Sequence, residues 1–275
     1  GDSPSLDKAV TVAEPLPSGE QVLVATNLTK KFSGLVALDD ASMFVERGKI
    51  SGLIGPNGSG KSTMVNCITG ISKADSAEIQ LGDLKISKEK TWKRARSGLG
   101  RTFQNIRLFK ELTVLDNVVV ACISAGESVK DSDKSALSLL NQVGVMHHAY
   151  RFAGELSFGD QRRVEIARAL ALKPSVLLLD EPAAGLSQSE SQNLARLVRG
   201  LADEWGMAIL VVEHDLQFVM GACDEVLVLD FGKLIATGTP AEVQANPDVI
   251  RAYLGADAAQ KDRVVSDVGS RGGAI

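Results

Sequence analysis

From residue 21 to about residue 255, short apolar runs alternate with helical patterns. QVLVATNL (21–28) alternates apolar and polar positions and reads as an edge strand. KISGLIG (49–55), VLLLDEP (176–182), MAILVVEHD (207–215) and EVLVLD (225–230) are more continuously apolar. Such runs mark strands covered on both faces. In QRRVEIARALALK (161–173), Val164, Ala167 and Ala171 share one helical stripe, and Pro174 closes the helix. The pattern predicts an α/β core with a largely parallel sheet. The stretch from 104 to about 155–165 lacks long β-rich runs and carries helical patterns such as 131–143, so it reads as a mostly helical insertion.

The two ends break this pattern. Residues 1–20 hold Pro4, Pro15 and Pro17 among small and polar residues and read as a disordered lead-in. Residues 256–275, with Gly269, Gly272 and Gly273, read as a flexible tail. The folded body is expected over 21–255.

Composition narrows the classes. Of 275 residues 44% are hydrophobic, enough for a substantial core, and the net charge of −4 carries no basic nucleic-acid footprint. No nucleic-acid partner is expected. Cys67, Cys122 and Cys223 are far apart with no CxxC spacing, which argues against structural zinc and for a reduced, cytosolic setting. No apolar run reaches the ~18 residues that a spanning helix needs.

The strongest chemical signal is GPNGSGKST (55–63), a full match to G-x-x-x-x-G-K-[ST] between a predicted strand and a predicted helix over 61–70. Gly55, Pro56, Asn57, Gly58, Ser59 and Gly60 form a loop whose backbone N–H groups can face one centre, and the helix N-terminus adds partial positive charge for phosphate. Lys61 is expected at the β- and γ-phosphates, Ser62 on Mg²⁺ and Thr63 toward the α-phosphate. Asp180 and Glu181 end a strand. Asp180 stands where a carboxylate holds Mg²⁺, and Glu181 where one takes a proton from attacking water. His214 follows another strand end, where ligands of open α/β sheets collect, and is a candidate partner of the γ-phosphate or the attacking water. His147 and His148 read as solvent-facing or packing residues.

Together these residues resemble the nucleotide-binding subunits of ABC transporters over about 22–255. LSFGDQRR (156–163) resembles the family's LSGGQ signature, TFQ (102–104) its Q-loop, AAGLS (183–187) its D-loop and EHD (213–215) its switch-histidine loop. The resemblance implies ATP and Mg²⁺ as cofactors. It places Gln104 near Mg²⁺ and at the contact with membrane subunits, and Phe32 where an aromatic stacks on adenine; a core aromatic near an edge strand is the other reading of Phe32. It also implies a head-to-tail pair of cassettes in which Ser157 and Gly159 touch the γ-phosphate across the interface. From the residues alone, Ser157-x-x-Asp160 is a capping-box-like helix start, which can explain Ser157 as structure. The pattern departs from the family at Phe158, in place of a glycine, at Asp160, in place of glutamine, and at Ser187, where aspartate is common. Asp160 is expected to repel phosphate unless it faces the helix cap.

LFKELTVLDNV (108–118), EPAAGLS (181–187) and GTPAEVQANPDVIRAYLG (238–255) resemble the subfamily that serves high-affinity uptake of branched-chain amino acids, with urea or amide importers close by. That resemblance implies an ATP-hydrolysing subunit lying peripherally on the cytoplasmic face of the membrane. Its implied partners are a second ATP-binding subunit, integral membrane permease subunits and an external solute-binding protein. Phe103, Ile106, Leu108 and Phe109 give the permease-facing segment apolar character, with core packing as the rival role. Two other classes stay open. One is a soluble repair or translation ATPase, disfavoured by one cassette and no long heptad run; the other is a regulatory subunit that binds ATP and scarcely hydrolyses it. The expected fold is a P-loop NTPase core with a largely parallel sheet, an antiparallel β edge region and an inserted helical subdomain.

Overall fold

A computed structural model describes residues 20–254. The expected disordered lead-in and flexible tail lie outside the described residues, apart from Glu20 at the very start of the body. The chain opens with β1 (Gln21–Phe32), β2 (Leu35–Glu46), β3 (Ile50–Ile54) and α1 (Lys61–Thr69). It continues through β4 (Ser76–Leu81), β5 (Leu84–Lys85), α2 (Thr91–Arg96) and β6 (Leu99–Arg101). The helices α3 (Val114–Ser124), α4 (Val129–Gln142) and α5 (Phe158–Ala171) follow. The last part is β7 (Val176–Asp180), α6 (Gln188–Trp205), β8 (Ala208–Val212), α7 (Leu216–Ala222), β9 (Glu225–Asp230), β10 (Lys233–Gly238) and α8 (Pro240–Ala245).

Six strands form one sheet in the order β10-β9-β3-β8-β7-β6, parallel except for the β9–β10 pair. The continuous apolar runs predicted this: every residue of β3, β7 and β8 is buried. Alternate residues serve opposite faces. Leu177, Leu179, Ile209 and Val211 pack toward α3–α6, while Val176, Leu178, Leu210 and Val212 pack toward α1 and the second sheet. Charged strand ends are thereby delivered to one rim of the sheet.

The second sheet is antiparallel, in the order β2-β1-β4-β5. Here the edge-strand reading of 21–28 fails. β1 is interior, paired to β2 on one side and β4 on the other. Alternation reports which face is buried and says nothing about how many neighbours a strand has, and β4, SAEIQL, is too short and polar to stand out as the second neighbour.

The insertion is helical as expected, with α3 and α4 each started by a hydroxyl cap: Thr113 Oγ1 accepts from the Asp116 N–H and Ser128 Oγ from that of Asp131. α5 ends at Ala171, two residues short of the predicted Lys173. Lys173 precedes a proline, which disfavours helical backbone there, and it turns left-handed at φ 52°.

Candidate nucleotide site

The loop 55–60 leaves β3 and closes on the N-terminus of α1. Two of its glycines are forced by close approach. A Cβ on Gly55 (φ +149°) would lie 2.0 Å from the Leu229 carbonyl oxygen, and one on Gly60 (φ +112°) 2.5 Å from that of Ala37. At both positions the loop packs so closely on neighbouring backbone that no side chain fits. Lys61 is buried and folds its Nζ back to donate to the carbonyls of Gly55 (2.7 Å) and Pro56 (2.9 Å). Burial pushes its ammonium below the usual lysine range, while the charge of Glu181 pulls it back up. Asn57, Gly58 and Ser62 are exposed, and Thr63 is half-buried. The Ser59 Oγ is buried without a protein partner. Glycine backbone, an orphaned hydroxyl, a lysine and a helix N-terminus fit a chain of phosphates. Gly232, in the β9–β10 turn, donates its N–H to the Ser59 carbonyl (2.8 Å) and accepts from the Asp39 N–H (2.9 Å), so the antiparallel sheet is fastened to the loop.

β7 brings two carboxylates to the same rim. Asp180 is buried, with Oδ2 2.7 Å from Arg101 Nη2. Glu181 adopts φ 46° and donates its N–H to the Val212 carbonyl at 2.8 Å, continuing the β7–β8 ladder from a left-handed residue. A non-glycine residue held there costs on the order of 1–3 kcal/mol, and such residues gather at functional sites. Its Oε2 accepts from Gln104 Nε2 at 2.8 Å and lies 3.9 Å from His214 Nδ1. Glu181, Gln104 and His214, which are far apart in sequence, therefore meet around one carboxylate oxygen.

The remaining predicted residues stand elsewhere. Ser157 caps α5: its Oγ accepts from the Asp160 N–H (3.2 Å) and donates to Asp160 Oδ2 (2.9 Å). Asp160 thus faces the cap, with His148 Nε2 3.7 Å from the same oxygen. Gly159 is buried against Glu190, whose Oε1 is 3.0 Å from where a Cβ would sit. The Phe158 ring lies 3.4 Å from the Cβ position of Gly185, so the side chain at the first departure packs on the 183–187 loop. Ser187 caps α6 in a capping box with Glu190. Phe32 is 47% exposed, which removes the core-aromatic reading, and Lys30 Nζ lies 4.9 Å from its ring centre. Along the segment expected to face permeases, Leu108 packs on the helical core, Phe109 is exposed, and Phe103 and Ile106 are half-buried.

Arg101 and Glu213 are among the functional-looking residues that the sequence did not single out. Arg101 lies in a three-residue strand with no periodic signal of its own. Glu213 lies inside EHD, where His214 is the residue with recognisable chemistry. The glutamate is wholly buried and accepts from the N–H groups of Ala183 (2.7 Å), His214 (3.0 Å) and Asp215 (3.2 Å). Burial raises its carboxyl pKa, and these three amides pull it back down.

Fold and loop define a P-loop nucleotide-binding protein. The family pattern described as ABC transporter matches residues 38–184, and one described as branched-chain amino acid ATP-binding cassette transporter matches 233–259. The chain is 40% identical over 251 residues to the high-affinity branched-chain amino acid transport ATP-binding protein LivG of Salmonella typhimurium, covering 86% of this chain and 98% of that one. It is similar to the crystal structure of MJ1267, an ATP-binding cassette of an ABC transporter in its ADP conformation. That likeness has a TM-score of 0.79 and 34% identity, over 86% of this chain and 99% of the other. It also resembles the cassette MJ0796, solved as a dimer in a post-hydrolysis state with ADP and Pi, at a TM-score of 0.71 and 28% identity over 79% and 98% of the two chains. The chain belongs to the ATP-binding subunits of ABC transporters.

Proposed function

We propose that this subunit hydrolyses ATP to ADP and phosphate to power an importer for branched-chain amino acids. The observation that carries the hydrolytic reading is the convergence of Gln104 and His214 on Glu181, a carboxylate close enough to Lys61 to bias its charge. Phosphoryl transfer needs an oriented water and neutralised charge more than covalent help. Glu181 takes the proton as water attacks the γ-phosphorus, and the bond to the β-phosphate oxygen breaks. Gln104 holds the Glu181 carboxylate in place, and His214 sits beside it to hydrogen-bond the γ-phosphate. The Gly55–Thr63 loop binds the phosphate chain and Phe32 supplies the adenine platform. Mg²⁺, which neutralises phosphate oxygens, would be held by Ser62, Asp180 and Gln104, an all-oxygen donor set that suits a hard cation.

The cargo and partners rest on the similarity to LivG and on the match at 233–259. No described helix is long and apolar enough to cross a membrane. Integral membrane permeases are the proposed partners, in keeping with the family. The segment 104–111 is their proposed contact, with the subunit peripheral on the cytoplasmic face. A second ATP-binding subunit presents Ser157 and Gly159 to the shared ATP; the dimeric state of the cassette MJ0796 supports the pairing of two subunits. An external solute-binding protein completes the importer. Affinity purification of the full-length protein from detergent-solubilised membranes, with mass spectrometry of every co-eluting chain, tests this. Multi-span subunits together with an exported amino-acid-binding protein support the importer; exclusively soluble partners, under conditions that preserve a known transporter, defeat it.

A further inference from the structure

Residues 103–107 carry no helix or strand, yet they place Gln104 against Glu181. Backbone groups in such a stretch must find partners outside regular ladders, and here α5 provides them. The Arg162 side chain is fully buried. Its Nη1 donates to the Phe103 carbonyl at 2.7 Å and to Glu165 Oε2 at 2.6 Å, and its Nη2 donates to the Gln104 carbonyl at 2.9 Å. Glu165 Oε1 accepts from the Phe103 N–H at 3.2 Å. One turn further on, Arg168 Nη1 donates to the Arg107 carbonyl at 2.5 Å. One face of one helix thus grips the backbone on both sides of Gln104.

We propose that Arg162 and Glu165 are positioning residues for hydrolysis, fixing the backbone of Phe103 and Gln104 so that the Gln104 amide meets Glu181. This rests on the ATPase reading above. Stability alone is a poor reason for the pair, because a buried ion pair is often no better than apolar side chains of the same volume. Geometry is a better one. The guanidinium fork spans two successive carbonyls and a carboxylate at once, which a lysine ammonium on its flexible stem does not reproduce. The carboxylate also has a second task, since its other oxygen takes the Phe103 N–H. The clamp connects as well to the start of α5: the Phe158 ring centre lies 5.9 Å from Arg162 Cζ. A run of contacts therefore leads from the first turn of α5 through Arg162 to Gln104 and Glu181.

The test is a double-mutant cycle on the full chain with Arg162→Lys and Gln104→Ala, joined to hydrogen exchange of the nucleotide-free protein. Arg162→Lys is expected to speed exchange across 103–107 and leave the 55–63 peptide unchanged. It should lower kcat by about 10- to 100-fold, the scale of a displaced catalytic group, with the KM for ATP held. In the Gln104→Ala background the same change should cost almost nothing further, because its route to the chemistry is already gone. An equal loss in both backgrounds, or unchanged exchange at 103–107, overturns the proposal. If Arg162→Lys does not fold, Glu165→Gln carries the same cycle, since its amide would turn a donor toward Arg162. A wild-type chain that binds ATP without turnover defeats the ATPase reading instead, and the exchange experiment still decides whether the clamp holds the segment.

Discussion

Arg101 Nη2 stands 2.7 Å from Asp180 Oδ2 across neighbouring strands, and each side chain keeps only about a tenth of its surface exposed. Arg101 reaches α1 as well, donating to Asn66 Oδ1 at 2.8 Å and Thr69 Oγ1 at 3.1 Å. The carboxylate proposed for the metal is thus tied to α1, the helix that follows the phosphate loop. Removing the arginine leaves a buried charge alone. Arg101→Ala is expected to lower unfolding stability by about 3–5 kcal/mol, the cost of breaking a buried pair from one side. Adding Asp180→Asn should recover part of that loss. Urea unfolding of the two single variants and the double variant checks both; a fully additive double would show that the pair is not coupled.

Glu181→Gln should separate binding from chemistry. The amide keeps the size of the side chain and can still accept from Gln104 Nε2, but it cannot take a proton. ATP hydrolysis is expected to fall by about 10²–10⁴-fold, the usual contribution of a positioned base. ATP affinity should hold, because Lys61 and the glycine cradle are untouched. Turnover measured beside equilibrium nucleotide binding decides this; unchanged turnover would take the base role away from Glu181.

Glu213 must be a carboxylate for a reason of donors and acceptors. Three N–H groups converge on its two oxygens. Glutamine there has to aim its NH₂ at one side or the other, donor against donor. Glu213→Gln is therefore expected to cost about 1–3 kcal/mol although it removes a buried charge. The pH dependence runs the other way. Burial raises the carboxyl pKa in the fold, so the folded state holds its proton more tightly than the unfolded chain does. This share of stability is complete below the ordinary value of 4.5 and is lost as pH rises through the raised one. Denaturant titrations stepped upward from pH 4.5 should show that decline in the wild type and a weaker one in the variant.

The fold was legible in the sequence wherever one face or both faces of an element set its composition. VLLLD and AILVV announced buried parallel strands because each is covered on both sides. Gly55–Thr63 was legible because backbone curvature and charge demand those residue types at fixed spacing. The residues that escaped do their work through long-range partners. Arg101 matters because β6 lies beside β7, and Glu213 because the 183–187 loop folds back onto it. Arg162 lies off the apolar stripe of its helix, and only the fold turns it inward to Phe103 and Gln104. The interior place of β1 was missed for the same cause, since pairing is a property of neighbours.

The three thiols offer a prediction at the alkaline end. Burial pushes Cys67 above its ordinary range, Cys122 up to about 11 and Cys223 up to about 12. Cys223 sits against Gly52 of β3, where an added Cβ would come within 3.0 Å of its sulfur, so no solvent layer separates it from the sheet. Thiolate is the reactive form. At pH 8 the folded protein should therefore react with a thiol reagent at none of these cysteines on the timescale of a model thiol, and at all three after unfolding. The stability consequence follows from the same shifts. Between pH 9 and about 12 the unfolded chain loses the Cys223 proton while the folded one keeps it. Stability contributed by the protonated thiol is then whole below pH 9 and drains away as pH rises, with a slope of about 1.4 kcal/mol per pH unit once the unfolded thiol is ionised. Cys223→Ala removes that slope while opening little space. Unfolding curves at pH 8, 9 and 10 for the wild type and Cys223→Ala give the comparison. Parallel decline in the two proteins would mean that some other group controls alkaline unfolding.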